Sequence, residues 1–143
     1  WDLLGIHEAG RVAYALEKSD ERMPSMGAPS ANYAVRTVDI TDLFNEDSRR
    51  AGSGASIPRN LGSMDYGRLS TDACGDAAGD YIYLVIAGNM DIIDVSSPEN
   101  LTKVGSYALS TTPAAFSTGF SRIEVRYGYA WLYDGTLRIL KLW

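Results

Sequence analysis

One cysteine, Cys74, and one histidine, His7, are all that the 143 residues hold of the side chains most used for zinc ligation and nucleophilic catalysis. A lone thiol cannot close an internal disulfide, and a lone imidazole does not supply the cluster that a zinc site or an activated nucleophile demands. Asp72 and Asp76 flank Cys74 and disfavour its thiolate, so an inert cysteine is expected. Positive charge is also short. Lys and Arg number 13 against 18 Asp and Glu, for a net charge of −5. The one adjacent basic pair, Arg49–Arg50, suits a solvated turn, and a phosphate-binding face would need a denser basic patch, so no nucleic-acid partner is expected. Long apolar runs are missing as well. Tyr81–Ala87 and Tyr129–Tyr133 fall far below the roughly 18 to 20 residues of a membrane helix, so no membrane span is expected. The sequence opens at Trp1 without a Met or a leader, which reads as a processed or excised piece whose targeting segment is out of view.

What the chain does have is a globular composition, 45% apolar and 22% charged, enough hydrophobic side chain to offset chain entropy. Helical periodicity is scarce and strand signals are many. Arg11–Leu16, Tyr33–Ile40, Tyr81–Ile86, Met90–Val95, Lys103–Tyr107, Arg122–Arg126, Tyr129–Tyr133 and Leu137–Leu142 are short, β-branched and aromatic. Between several of them stand Gly88-Asn89, Ser96-Ser97-Pro98, Tyr127-Gly128 and Asp134-Gly135, residues that turn the chain through positive φ, a fixed φ or side-chain bonds to the backbone. The last strand carries apolar residues on both faces, Leu137 and Ile139 on one, Leu140 and Leu142 on the other, as expected of a sheet packed between two others.

The pattern recurs. Tyr81–Val95 and Tyr129–Leu142 each read as an aromatic strand, a tight turn and an apolar strand, and a split copy joins Arg11–Leu16 to Ala34–Ile40. Asp39 and Asp94 stand 55 residues apart near the ends of matching strands, and Lys141 follows 47 further on. Periods of this size with four strands per unit predict an all-β fold, a partial β-propeller of about three four-stranded antiparallel blades, the last incomplete. The approximate units are 1–57, 58–107 and 108–143. In this phasing the first blade takes Asp2–Ile6, Arg11–Leu16, Tyr33–Ile40 and an outer strand near Ser48–Ile57. The second takes roughly Gly62–Leu69 as its inner strand, then Tyr81–Ile86, Met90–Val95 and Lys103–Tyr107; the third lacks its outer strand. Three blades leave two apolar sheet faces uncovered, so a protein partner or self-association is expected to cover the end blades.

The run Asp91-Ile92-Ile93-Asp94-Val95-Ser96-Ser97-Pro98, followed by Val104-Gly105-Ser106-Tyr107, resembles the LVIVD repeat family of bacterial and archaeal surface or secreted propellers. Ser97 stands where that family has Asp; Val38-Asp39-Ile40 keeps the strand end without the Pro turn, and Leu140-Lys141-Leu142 loses the Asp. The resemblance implies a repeat scaffold and an extracellular or cell-surface placement, and no reaction.

The remaining candidates read as structure. Asp94 before Ser96-Ser97-Pro98 is expected to accept turn N–H groups. His7 beside Glu8 near an inner strand is conceivable as a metal or acid–base site, but neighbours in a strand face opposite ways. Asp72, Asp76 and Asp80 recur every four residues in a Gly/Ala stretch read as a rim loop, a spacing unlike a calcium loop. Glu17–Asn32, with Met23-Pro24, Met26 and Pro29, and Ser110–Gly119, with Pro113 and Phe116, are long insertions, the first a candidate contact surface. Asn100-Leu101-Thr102 matches a glycosylation acceptor pattern, one that occurs commonly by chance. No catalytic residue, metal or cofactor is assigned. The expected function is a non-catalytic interaction or assembly module; the alternative is a saccharide- or small-molecule-binding or hydrolytic propeller using acids such as Glu8, Asp65 and Glu124.

Overall fold

The computed structural model describes residues 2–6, 11–20, 31–41, 58–69, 72–109, 122–133 and 137–142. Their strands are β1 (Asp2–Ile6), β2 (Val12–Asp20), β3 (Ala31–Asp39), β4 (Arg59–Leu69), β5 (Cys74–Ala78), β6 (Tyr81–Ile86), β7 (Asn89–Asp94), β8 (Thr102–Ala108), β9 (Arg122–Arg126), β10 (Tyr129–Tyr133) and β11 (Leu137–Lys141). They form three antiparallel sheets in the orders β1-β2-β3-β4, β5-β6-β7-β8 and β9-β10-β11. No strand crosses between sheets and no sheet closes into a barrel. The result is all-β and propeller-like, with an incomplete third blade.

Tight hairpins set the register. Ala87-Gly88 joins β6 to β7 and Tyr127-Gly128 joins β9 to β10, and all four residues have positive φ. That is the two-residue turn whose twist matches its strands, and a glycine at the second position relieves half of its backbone strain. Pro98 sits one residue into a turn in which the Asn100 N–H donates to the Ser97 carbonyl at 2.9 Å, where its fixed φ is an asset.

The three sheets are copies at the level of single bonds. Where β3, β7 and β11 end, the N–H of Ile40, Val95 and Leu142 donates to the carbonyl of Arg11, Asp80 and Gly128, at 2.8, 2.8 and 2.9 Å. One residue earlier, Asp39 Oδ1 accepts the Thr41 N–H and Asp94 Oδ1 accepts the Ser96 N–H, both at 2.9 Å. The expected turn-holding role of Asp94 is therefore met, and Asp39 repeats it. Even the irregularities coincide. Thr37 pairs with Gly62 before a register shift, and Ile92 pairs with Gly105 before the same shift, so both outer strands bulge at equivalent places.

Two corrections to the expected phasing follow. The outer strand of the first sheet is β4, paired along β3, whereas Gly62–Leu69 was expected to be the inner strand of the second. That inner strand is β5, in the stretch expected to be a rim loop. The suggested outer strand at Ser48–Ile57 lies outside the described residues. The Glu17–Asn32 insertion is also shorter than expected, because β2 continues to Asp20 and β3 starts at Ala31, paired through Asp20↔Ala31. The reason for the first two errors is composition. Glycine and alanine weaken the strand signal, yet small residues are what the inner strands need, since β1 lies against β5 and β5 against β9. A Cβ on Gly5 would stand 2.7 Å from the Ala77 Cβ, and one on Gly75 would stand 3.0 Å from Leu4 Cδ2.

The core lies in the two junctions between sheets. Leu4, Tyr14, Leu16, Tyr33 and Val35 of the first sheet pack on Ile82, Leu84, Ile86, Ile93 and Val95 of the second. Tyr83, Val85 and Met90, on the opposite face of the second sheet, pack on Ile123, Val125, Ala130 and Leu132 of the third. The middle sheet is thus covered on both sides, and each fully buried aliphatic side chain contributes about 1.5 to 3 kcal/mol through burial.

Candidate functional site

Buried polar contacts show where acids and hydroxyls are used. Thr37, fully buried, donates from Oγ1 to the Pro98 carbonyl, with the Gly62 carbonyl 3.2 Å away. Asp91, also buried, accepts from Ser106 Oγ at 2.6 Å and pairs with Lys103 at 3.3 Å. The buried Tyr66 hydroxyl of β4 has no hydrogen bond of good geometry. Burial first, and then the Asp91 carboxylate, pushes its ionisation well above the usual tyrosine range. Thr37 thus ties the first sheet to the turn after β7, and Asp91 ties β7 to β8 within the second sheet.

The aspartate series resolves into three unrelated positions. Asp72 precedes β5 and pairs with Lys18 at 3.4 Å on the surface. Asp76 lies within β5; its Oδ2 accepts the Val125 N–H at 2.6 Å and its Oδ1 accepts the Ala77 N–H at 3.0 Å. Asp80 sits in the β5–β6 turn, where its carbonyl receives Val95. A strand spreads a four-residue interval over roughly 13 Å, too far for one cation shell. No cluster of three or more His, Cys, Asp or Glu able to hold a metal exists among the described residues. Cys74, on β5, is pushed up to about 12 by burial, which makes it a poor nucleophile; burial rather than the neighbouring aspartates is the cause.

Of the acids considered for a catalytic channel, the two among the described residues, Asp65 and Glu124, lie in different sheets. Asp65 is on the outer strand β4, with Arg36 of β3 at 3.7 Å, and Arg36 also binds Glu17 at 2.7 Å. Glu124 is on the inner strand β9 of the third sheet, paired with Arg126 at 2.6 Å and Arg122 at 4.0 Å. His7, Glu8, Arg49, Arg50 and the segments with Met23, Met26 and Phe116 lie outside the described residues.

What the structure does assemble is a pair of uncovered end faces. On the third sheet, Tyr129, Trp131, Tyr133, Leu137 and Ile139 point away from the core and are 40 to 58% exposed. Registers Trp131↔Glu124, Trp131↔Ile139 and Tyr133↔Leu137 put them side by side, and Trp131, Tyr133 and Leu137 border, with Arg122, Glu124, Arg126 and Tyr127, a hollow of ≈ 440 Å³. On the first sheet, Leu3 and Ile6 are 66% and 52% exposed. Their partners Ala15 and Ala13, with Glu17, Arg36, Val38, Pro58 and Asn60, line a hollow of ≈ 540 Å³. The expectation of two apolar faces left by the end sheets therefore holds for the described residues. Apolar residues on both faces of Leu137–Leu142 pointed to the first; which residues form the second was not legible, because alanines hold much of it.

Among the described residues no helix is long and apolar enough to cross a membrane. The chain matches no family model, no curated protein and no solved structure.

Proposed function

We propose that the chain is a non-catalytic assembly module, a set of propeller blades whose end faces bind protein. The observation that carries this reading is the outward face of β9–β11. Five large apolar side chains lie contiguous in water there, while the equivalent face of the second sheet is buried against a neighbour. A patch of that kind on an ordered sheet marks an interaction site. The LVIVD-type resemblance supports the same reading, because Asp39 and Asp94 make the same turn bonds and the Val104–Tyr107 segment lies in an outer strand. With it comes an extracellular or cell-surface placement as part of the proposal.

A saccharide site has Trp131, Tyr133 and Glu124 around the third-sheet hollow in its favour. Against it, the Trp131 position is a core position in both other sheets, where Tyr14 and Tyr83 are buried, so its ring needs no sugar to explain it.

An apolar fluorescent dye tests the reading on the full chain at high dilution. Dye binding that falls several-fold in Trp131→Ser and Ile139→Ser, with far-UV dichroism unchanged, is the expected result. A native chain that binds no dye, or one whose binding ignores both substitutions, overturns the assignment of this face.

A further inference from the structure

Both junctions inside the chain have the same polarity. At the first, Tyr14 and Tyr33 leave the first sheet on the side toward the following sheet and meet Ile82, Leu84, Ile93 and Val95. At the second, Tyr83 does the same and meets Ile123, Val125, Ala130 and Leu132. Each sheet thus sends aromatic rings forward and offers aliphatic side chains backward. Strand β10 shows this within one element: Tyr129, Trp131 and Tyr133 face forward, and Ala130 and Leu132 face back.

The two uncovered faces keep the rule. The forward face of the third sheet is aromatic, and the backward face of the first sheet offers exposed Leu3 and Ile6, with Ala13, Ala15 and Val38 beside Glu17 and Arg36 around a hollow of ≈ 540 Å³. Trp131 stands opposite Glu124 and Ile139 as Tyr83 stands opposite Asp76 and Ile92, yet Trp131 is 40% exposed and Tyr83 only 2%. The acid on the inner strand follows suit. Asp76 reaches forward to the Val125 N–H, and Glu124 holds the position equivalent to Asp76. In the first sheet the residue equivalent to Val125 is Ile6, since Ile6 pairs with Ala13 as Val125 pairs with Ala130.

Resting on the reading above, we propose that the occupant of the aromatic face is a second copy of this chain, docked head to tail. The β9–β11 sheet of each copy covers the β1–β4 sheet of the other, and Glu124 meets the Ile6 backbone across the junction. Two copies bring six sheets, within the range of about four to eight at which propellers close, and a third copy would exceed it. A contact between two aromatic faces is disfavoured, because it would set the same Arg122–Glu124–Arg126 row, basic in balance, on both sides. A head-to-tail contact repeated twice is a heterologous interface that closes.

Sedimentation equilibrium of the full chain tests this, with Trp131→Glu at one end and Ile6→Glu at the other. The expected native mass is twice the 15.6 kDa of one chain, each variant alone sediments as a monomer, and their mixture regains a pair through its one intact junction. Ile139→Asp replaces Trp131→Glu if far-UV dichroism shows the latter unfolded. A pair that survives Ile6→Glu but not the third-sheet substitution overturns the head-to-tail contact and leaves the aromatic face as a binding surface. A concentration-dependent ladder of larger species overturns the closed pair. A native monomer overturns the second copy as occupant, and dye binding at Trp131 then decides separately whether the face binds protein at all.

Discussion

The Asp76 carboxylate accepts the Val125 backbone N–H at 2.6 Å, across the gap between two inner strands. With the Ala77 N–H on its other oxygen, one side chain satisfies donors in two sheets. Asp76→Ala is expected to destabilise the chain by about 1.5 to 3 kcal/mol, the usual worth of a hydrogen bond to a charged group. Asp76→Asn, which keeps an acceptor, should lose less. Urea unfolding of the three proteins checks the order.

Gly62 and Gly105 occupy equivalent places in β4 and β8, but their surroundings differ. A Cβ at Gly62 would lie 2.5 Å from the Pro98 carbonyl oxygen and 2.8 Å from Leu101 Cδ1, whereas at Gly105 the nearest atom is Ile92 Cδ1 at 3.4 Å. Gly62→Ala should therefore cost about 1 to 3 kcal/mol through overpacking against backbone, and Gly105→Ala clearly less. Thermal unfolding of the pair reads the difference directly.

Burial raises the Cys74 thiol from its usual 9.0 to about 12 and raises the Tyr14 and Tyr83 hydroxyls as well, Asp80 adding to the first and Tyr81 to the second. The folded state thus holds these protons after the unfolded state has released them. Their contribution to stability is complete below pH 9 and is lost as pH rises from 9 toward 12. Unfolding midpoints should be insensitive to these groups near neutrality and fall in that window. At pH 8 a disulfide reagent should label Cys74 slowly in the native chain and rapidly in guanidinium.

Asp39 and Asp94 shift the other way, held below the usual carboxylate range by the hydroxyl and N–H of Thr41 and Ser96. Their contribution is present above pH 3.8 and disappears as pH falls through the lowered values. Carboxyl resonances of both residues, followed by NMR titration, should move together at acid pH. Asp94→Asn should leave the turn and lose the titration.

Leu84 is fully buried in the first junction and Ile139 is half exposed on the third sheet. Leu84→Ala should cost about 2 to 5 kcal/mol. Ile139→Ser, measured in chain too dilute to associate, should stay within about 0.5 kcal/mol of native.

Much of this architecture could be read from residue order. The recurrence of an aromatic strand, a tight turn and an apolar strand in Tyr81–Val95 and Tyr129–Leu142, and the spacing of Asp39, Asp94 and Lys141, lead to sheets that recur with one pattern, and the shared bonds of Ile40, Val95 and Leu142 are its physical basis. The phase of the inner strands was not legible. Gly75, Ala77 and Ala78 look like a loop to any propensity scale, because the pressure for small side chains comes from β1 and β9, distant in sequence and visible only once folded. Which residues make up the backward end face was not legible for the same reason: Ala13 and Ala15 have meaning through their shape opposite a neighbour.

The backbone latches at Ile40, Val95 and Leu142 all sit at the base of a hairpin, on the side away from its tip. The tips need not agree: two residues, Ala87-Gly88, suffice between β6 and β7, while ten separate Asp20 from Ala31. Sequence novelty can therefore accumulate along one edge of the stack without disturbing how the units lock. The outward ends of the hairpins are thus the places where the repeat tolerates a change of length, and the latched ends are the places where it does not.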